Sequence, residues 1–134
     1  YNVFISMKKL SEGDPARAAA AALTFDHTKN VFVFDDDIDV FNPTDILWAI
    51  ATRVQPHLQV NILKPLFRGN FLDPSLRDEI KTSGMIVDAT KPTDRPFLPV
   101  SKCPDEAMAR IKLEEYVPGE VLQHIPMDRT TYWA

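Results

Sequence analysis

Val31-Phe32-Val33-Phe34-Asp35-Asp36-Asp37-Ile38-Asp39-Val40-Phe41-Asn42-Pro43-Thr44-Asp45 decides the fold class. Its first four residues form an unbroken apolar run. Strands buried on both faces look like this, as in parallel sheets covered by helices. Asn42 suits a helix N-cap, Pro43 the first helical position, and Asp45 a capping-box-like partner. Ile46, Leu47, Ile50 and Val54 then recur at helical spacing, which predicts one buried face. Pro56 ends that helix. Val31 to Val54 is therefore a strand, an acidic turn and a helix.

The flanking sequence extends this unit. Asn2 to Met7 is apolar and β-prone, a strand. Asp14 reads as an N-cap before Pro15, and alanine-rich Ala16 to Phe25 as helix. Leu58 to Leu63 reads as a third strand ended by Pro65. Arg68 to Ser83 reads as loop with one helical turn, and Met85 to Asp88 as a fourth strand. Lys91 to Pro99, with three prolines, is extended loop. Pro104 to Tyr116 is predicted helical with Cys103 at its cap. A helical turn follows near Gly119 to His124, and Pro126 to Ala134 shows no pattern. The order β-α-β-α-β-β-α predicts a single α/β domain over residues 1–134, its mixed and largely parallel sheet flanked by helices.

Bulk properties narrow the function. The chain has 134 residues, 45% hydrophobic and 25% charged, enough to bury a core. A formal charge of −4 with no basic run argues against nucleic acid as a partner. No apolar run reaches the ~18 residues of a membrane span. A single cysteine fits a reducing, cytoplasmic setting. The start at Tyr1 is read as the mark of a fragment.

Asp35, Asp36, Asp37 and Asp39 lie where open α/β sheets place ligands. Such carboxylates could hold Mg²⁺. Alternatively they cap the next helix, bind turn amides and stay solvated, and composition favours this structural reading. No glycine-rich nucleotide motif follows a strand. His27, His57 and His124 are scattered, which argues against zinc. Cys103 lacks a base partner and reads as a plain cap. Arg53 suits a helix C-terminus and could pair with an aspartate of the turn or with a partner chain. Lys8 and Lys9 could meet a phosphate, with solvation the default. Trp48 is assigned to core or interface. The catalytic and metal sets are left empty, and the cofactor-binding set open.

Four strings together resemble the C-terminal domain of UbiD-type decarboxylases. They are Val33 to Val40, Leu47-Trp48-Ala49-Ile50-Ala51-Thr52-Arg53, Leu72-Asp73-Pro74-Ser75 and Asp88-Ala89-Thr90-Lys91-Pro92. The first strand, the alanine-rich helix and Ile111-Lys112-Leu113-Glu114-Glu115-Tyr116 are also similar. Ser83 to Val87 departs from the Lys-Met-Gly-type string that members often carry before the Asp-Ala-Thr segment. The resemblance implies reversible decarboxylation of aromatic or α,β-unsaturated acids. It implies prenylated FMN with Mn²⁺ or Mg²⁺ and K⁺, held by preceding domains. This chain would then oligomerise, as a dimer or higher, and help close the active-site cleft, inactive by itself. The alternative is a stand-alone, non-catalytic assembly subunit that partners a separate catalytic chain. In either case Asp35→Asn or Asp37→Asn is expected to cost stability or assembly more than ion affinity.

Overall fold

A computed structural model describes residues 1–68, 72–76, 81–99 and 104–124. The chain divides into two compact units, Tyr1–Phe97 and Leu98–Ala134.

The first unit holds a four-stranded sheet. Its strands are β1 (Asn2–Met7), β2 (Asn30–Asp35), β3 (Val60–Arg68) and β4 (Lys81–Ala89), in the spatial order β1-β2-β4-β3. β1 and β4 both run parallel to β2, and β3 pairs antiparallel with β4. The expected mixed, largely parallel sheet is therefore present.

The apolar run in β2 follows from its position. Val31 and Val33 face α1 (Asp14–Leu23) and pack with Ala19, Leu23 and Ile86. Phe32 and Phe34 face the other way, with Ala89, Ile38 and α2 (Pro43–Arg53). A helix covers each face, so alternation between apolar and polar residues is not needed. Phe4 of β1 stacks on Phe32 with ring centroids 5.2 Å apart.

The caps differ between the helices. Asn42 caps α2 as its sequence predicts: its side chain accepts a hydrogen bond from the Thr44 amide at 3.0 Å. Asp45 accepts from the Asn42 side-chain amide at 3.2 Å, a variant of the capping box. We expect Asn42→Ala to cost about 1 kcal/mol, measured by urea unfolding; an unchanged midpoint would refute the cap. At α1 the expected cap is corrected. Gly13 is the N-cap residue and Asp14 is the first helical position. The Asp14 carboxylate instead turns back to accept from the amides of Leu10 and Ser11 at 3.0 and 2.8 Å.

Other boundaries also shift. Leu47 lies on the outer side of α2, and Ala49 and Arg53 are the residues the helix buries. Pro56 opens a short helix, α3 (Pro56–Gln59). β3 runs through Pro65, which an edge strand tolerates. Its pairing shifts register between Leu63 and Phe67. β4 begins at Lys81, well before the apolar residues that announce it.

The second unit contains α4 (Asp105–Arg110), a 3₁₀ turn at Leu113–Glu115 and α5 (Gly119–Leu122). The helix expected from Pro104 to Tyr116 is thus broken. Lys112 has extended backbone, φ −98° and ψ 109°, which interrupts the helical hydrogen bonds. Cys103 and Pro126 to Ala134 lie outside the described residues.

Candidate functional site

The carboxyl ends of β1, β2 and β4 lie side by side, with Met7 opposite Asp35 and Phe34 opposite Ala89. Lys9, Asp37 and Lys91 each stand two residues beyond those strand ends. The register therefore brings together three charged residues that are far apart in sequence.

Arg53 reaches this edge from the last turn of α2. Its side chain is 2% exposed. Nη1 donates to Asp35 Oδ2 at 3.1 Å and to Asp37 Oδ1 at 3.0 Å, and Nη2 donates to Asp37 Oδ2 at 2.9 Å. The grip on Asp37 is bidentate, a geometry that suits a guanidinium. The Trp48 ring lies beneath the charge, 5.2 Å from Arg53 Cζ.

Lys91 is held at three points. Its amide donates to Asp35 Oδ2 at 2.7 Å, and its Nζ to Asp37 Oδ2 at 2.9 Å. Its carbonyl accepts from Lys9 Nζ at 3.0 Å. Lys9 Nζ also donates to Glu12 Oε2 at 2.8 Å, and Glu12 Oε1 accepts from the Thr93 hydroxyl at 2.6 Å. Lys9 is therefore not solvated; its side chain is only 4% exposed. The whole edge is a belt of ion pairs that fastens the exit of β4 to the ends of β1 and β2.

The four aspartates divide the work unevenly. Asp35 and Asp37 bind Arg53 and Lys91. Asp39 Oδ1 accepts from the Phe41 amide at 2.9 Å and so shapes the turn. Asp36 is exposed. None of them caps α2, because Asn42 does; this corrects the capping role expected of the cluster.

The strings at Asp73 and Asp88 are built alike. Asp73 Oδ1 accepts from the Ser75 amide and hydroxyl at 2.9 and 2.7 Å. Asp88 Oδ1 accepts from the Thr90 amide and hydroxyl at 3.0 and 2.6 Å. Both are aspartate turns closed by a hydroxyl residue two positions on. Lys29 Nζ then ties the first turn to the start of β2, donating to Asp73 Oδ2 at 2.7 Å.

Acidity follows this geometry. Burial, the largest influence on Asp35, pushes its carboxyl up despite the Lys91 amide and the nearby cations. Burial would also raise Asp37, but the bonds from Arg53 and Lys91 together bring it down to about 2. Lys9, then Thr93, lower Glu12 to about 2. Lys29, then Ser75, lower Asp73 to about 2. A carboxyl lowered in the folded state stabilises the fold above its unfolded value of ~3.9, and that stability is lost as pH falls towards 2. Asp35 acts in the opposite sense: its contribution is present at low pH and fades as pH rises through its raised value. We therefore expect Asp37→Asn to make the acid limb of melting temperature against pH shallower between ~4 and ~2. Asp35→Asn should leave that limb standing. An acid limb unchanged in Asp37→Asn would count against the pairing.

The arrangement is structural chemistry. Asp35 and Asp37 are engaged by cations of the chain itself. Among the described residues, no group of three or more His, Cys, Asp or Glu side chains is placed to hold a metal ion. Asp35 and Asp37, already paired, do not fit a flavin's metal. Among the described residues, no helix is long and apolar enough to cross a membrane.

The family model for the 3-octaprenyl-4-hydroxybenzoate carboxy-lyase C-terminal domain matches residues 1–89. The chain belongs to this family. The UbiD-type match ends at Ala89, the last residue of β4. Anhydromevalonate phosphate decarboxylase of Aeropyrum pernix is 44% identical over 91 residues, covering 67% of this chain and 20% of that protein. The UbiD-class enzyme HmfF from Pelotomaculum thermopropionicum, in complex with FMN, superposes with a TM-score of 0.67 at 37% identity, covering 86% of this chain and 26% of that one. An evolved dimeric form of HmfF, in complex with prFMN, gives 0.56 at 31% identity, covering 87% and 23%. Vanillic acid decarboxylase of Sedimentibacter hydroxybenzoicus in its closed form gives 0.66 at 29%, covering 83% and 25%. The chain spans about a fifth of the curated relative and about a quarter of the solved ones. The UbiD-type domain is thus part of a larger architecture in each of them.

Sequence reading found Asp35, Asp37 and Arg53 but missed Lys9, Glu12, Lys91 and Thr93 as members of the same network. The shared offset of two residues beyond each parallel strand could have found Lys9 and Lys91, whereas nothing local marks Glu12 and Thr93.

Proposed function

We propose that this chain is the supporting, non-catalytic domain of a UbiD-type carboxy-lyase that reversibly decarboxylates aromatic or α,β-unsaturated carboxylic acids. The single observation that carries this reading is the family match over residues 1–89, the segment containing the whole sheet. The closed belt of ion pairs supports the non-catalytic part, since it leaves Asp35 and Asp37 committed to Arg53 and Lys91. Prenylated FMN, with Mn²⁺ or Mg²⁺ and K⁺, binds outside this chain and supplies the decarboxylation chemistry. The domain oligomerises with other copies and braces the active-site cleft, in a cytoplasmic enzyme.

The test compares two samples. The complete enzyme should bind flavin and release CO₂ from an aromatic or α,β-unsaturated acid. The 134-residue chain alone, given prenylated FMN, Mn²⁺, K⁺ and the same acids, should release none. Turnover by the chain alone would overturn the supporting role. A complete enzyme that binds no flavin would overturn the assignment to this chemistry.

A further inference from the structure

The two edges of the sheet are unlike. β3 forms one edge and carries the usual defences of an exposed strand: Lys64, Pro65 and Arg68 in its sequence, and a shift of register between Leu63 and Phe67. β1 forms the other, and among the described strands nothing pairs with its outer side. From Asn2 to Met7 it has no charged residue and no proline, and its register with β2 is unbroken. An edge without such defences is a template for another strand.

The main chain shows which groups that strand would meet. The Tyr1 carbonyl accepts from the Asn30 amide at 3.0 Å, so the backbone there faces β2. Backbone groups alternate sides along a strand. Those of Val3 and Ile5 therefore face β2 as well, and those of Asn2, Phe4 and Ser6 face outward. The side chains of Asn2, Phe4 and Ser6 share one face and are exposed. Phe4, stacked on Phe32 on its inner side, is still 39% exposed.

Read outward from Phe4, the strand matches its own reverse: Asn2 answers Ser6, and Val3 answers Ile5. An antiparallel copy turned about a two-fold axis at Phe4 sets amide against hydroxyl, aliphatic against aliphatic and ring beside ring. The opposed pairs Phe4 with Phe4 and Asn2 with Ser6 then use the outward backbone groups, as hydrogen-bonded pairs of an antiparallel ladder do. No like charges meet. An axis one residue on, at Ile5, would oppose Phe4 to Ser6 and Asn2 to Lys8, and the match would be lost.

We infer that a second copy of this domain pairs antiparallel with β1 about Phe4, joining two sheets into one across the subunit boundary. This rests on the reading of the chain as an oligomerising domain, and it adds the surface and the register.

A photo-cross-linking analogue of phenylalanine placed at Phe4 of the purified complete enzyme tests this. Enzyme assembled from isotope-labelled and unlabelled copies is irradiated and its peptides are mapped. Phe4 should join the Asn2 to Ser6 segment of a second copy. Ile62, 54% exposed in the other edge strand, is the control and should give no such link. Charge substitution is the second arm. Phe4→Lys and Phe4→Glu should each weaken association by about tenfold or more, because like charges then face each other at the axis. Mixing the two variants should restore it, which misfolded variants would not do. Links from Phe4 to the flavin-binding part or to residues 98–134, or none at all in an enzyme that still decarboxylates, would overturn the inference. So would variants that associate as tightly as the parent. These failures would leave the proposed function standing, whereas an enzyme that forms the Phe4 link yet binds no flavin would bear out the pairing and overturn the function alone.

Discussion

Arg53→Met should lower the free energy of unfolding by about 3–5 kcal/mol, the cost of removing one partner from a buried ion pair. The side chain is almost wholly enclosed, and Asp35 beside it is buried too. Without the guanidinium, the Asp35 carboxylate keeps the Lys91 amide but loses its nearest cation. Asp37 loses both halves of a bidentate grip and keeps Lys91. Against a total stability of about 5–15 kcal/mol for a domain, this is a large fraction. Arg53→Lys should recover only part of it, because an ammonium cannot span two carboxylates and lies poorly on the Trp48 ring. Equilibrium urea unfolding is the measurement. The double variant Asp35→Asn with Arg53→Met should cost less than the sum of the single changes, since no uncompensated carboxylate remains at position 35. Strict additivity would show that the two residues do not act as a pair.

Phe34→Ala is expected to cost a similar amount, about 3–5 kcal/mol. Phe34 is fully buried on the α2 face of β2, against Ile38, Ala49 and Ala89. Two of those neighbours are alanines, too small to fill the void by moving. Phe34 immediately precedes Asp35 and packs on Ala49 of the helix that carries Arg53, so the ion-pair belt should loosen as well. Faster amide exchange at Lys91 in Phe34→Ala would report that coupling. A loss below 1 kcal/mol would mean that the site collapses around the deletion. Phe34→Leu should be much milder, because it keeps most of the volume.

The parts legible in the sequence share one property: their signals are local. The Asn42-Pro43 start of α2, the apolar strand Val31 to Phe34 and the β1 run each carry their cause within a few residues. The parts that failed depend on partners far away in the chain. Lys81 to Ser83 look like loop, yet they are strand because β3 pairs with this stretch. Pro65 looks like a terminator, yet the edge position of β3 admits it. Leu47 was assigned to the core on spacing, but the sheet takes Ala49 and Arg53 instead, because Arg53 must reach Asp35 and Asp37. Lys9 was assigned to solvent, because nothing near it in sequence reveals Glu12, Lys91 and Thr93 closing around it. Asp35 and Asp37 could be read only as an acidic turn until the far end of α2 supplied their cation.

The strand order has a consequence for how the chain comes off the ribosome. Among the described strands β4 is the last to be made, yet it lies inside the sheet between β2 and β3. Until Ala89 has emerged, β2 has an open flank and β3 has no neighbour among the described strands. The nascent chain must therefore hold two unjoined pieces, β1 with β2 and α1 on one side and β3 on the other. Synthesis of the final strand welds them, and Lys91, two residues later, draws the belt shut. Premature termination ahead of β4 would leave exposed strand edges open to aggregation, whereas chains stopped just beyond Thr93 would already carry every residue of the lock.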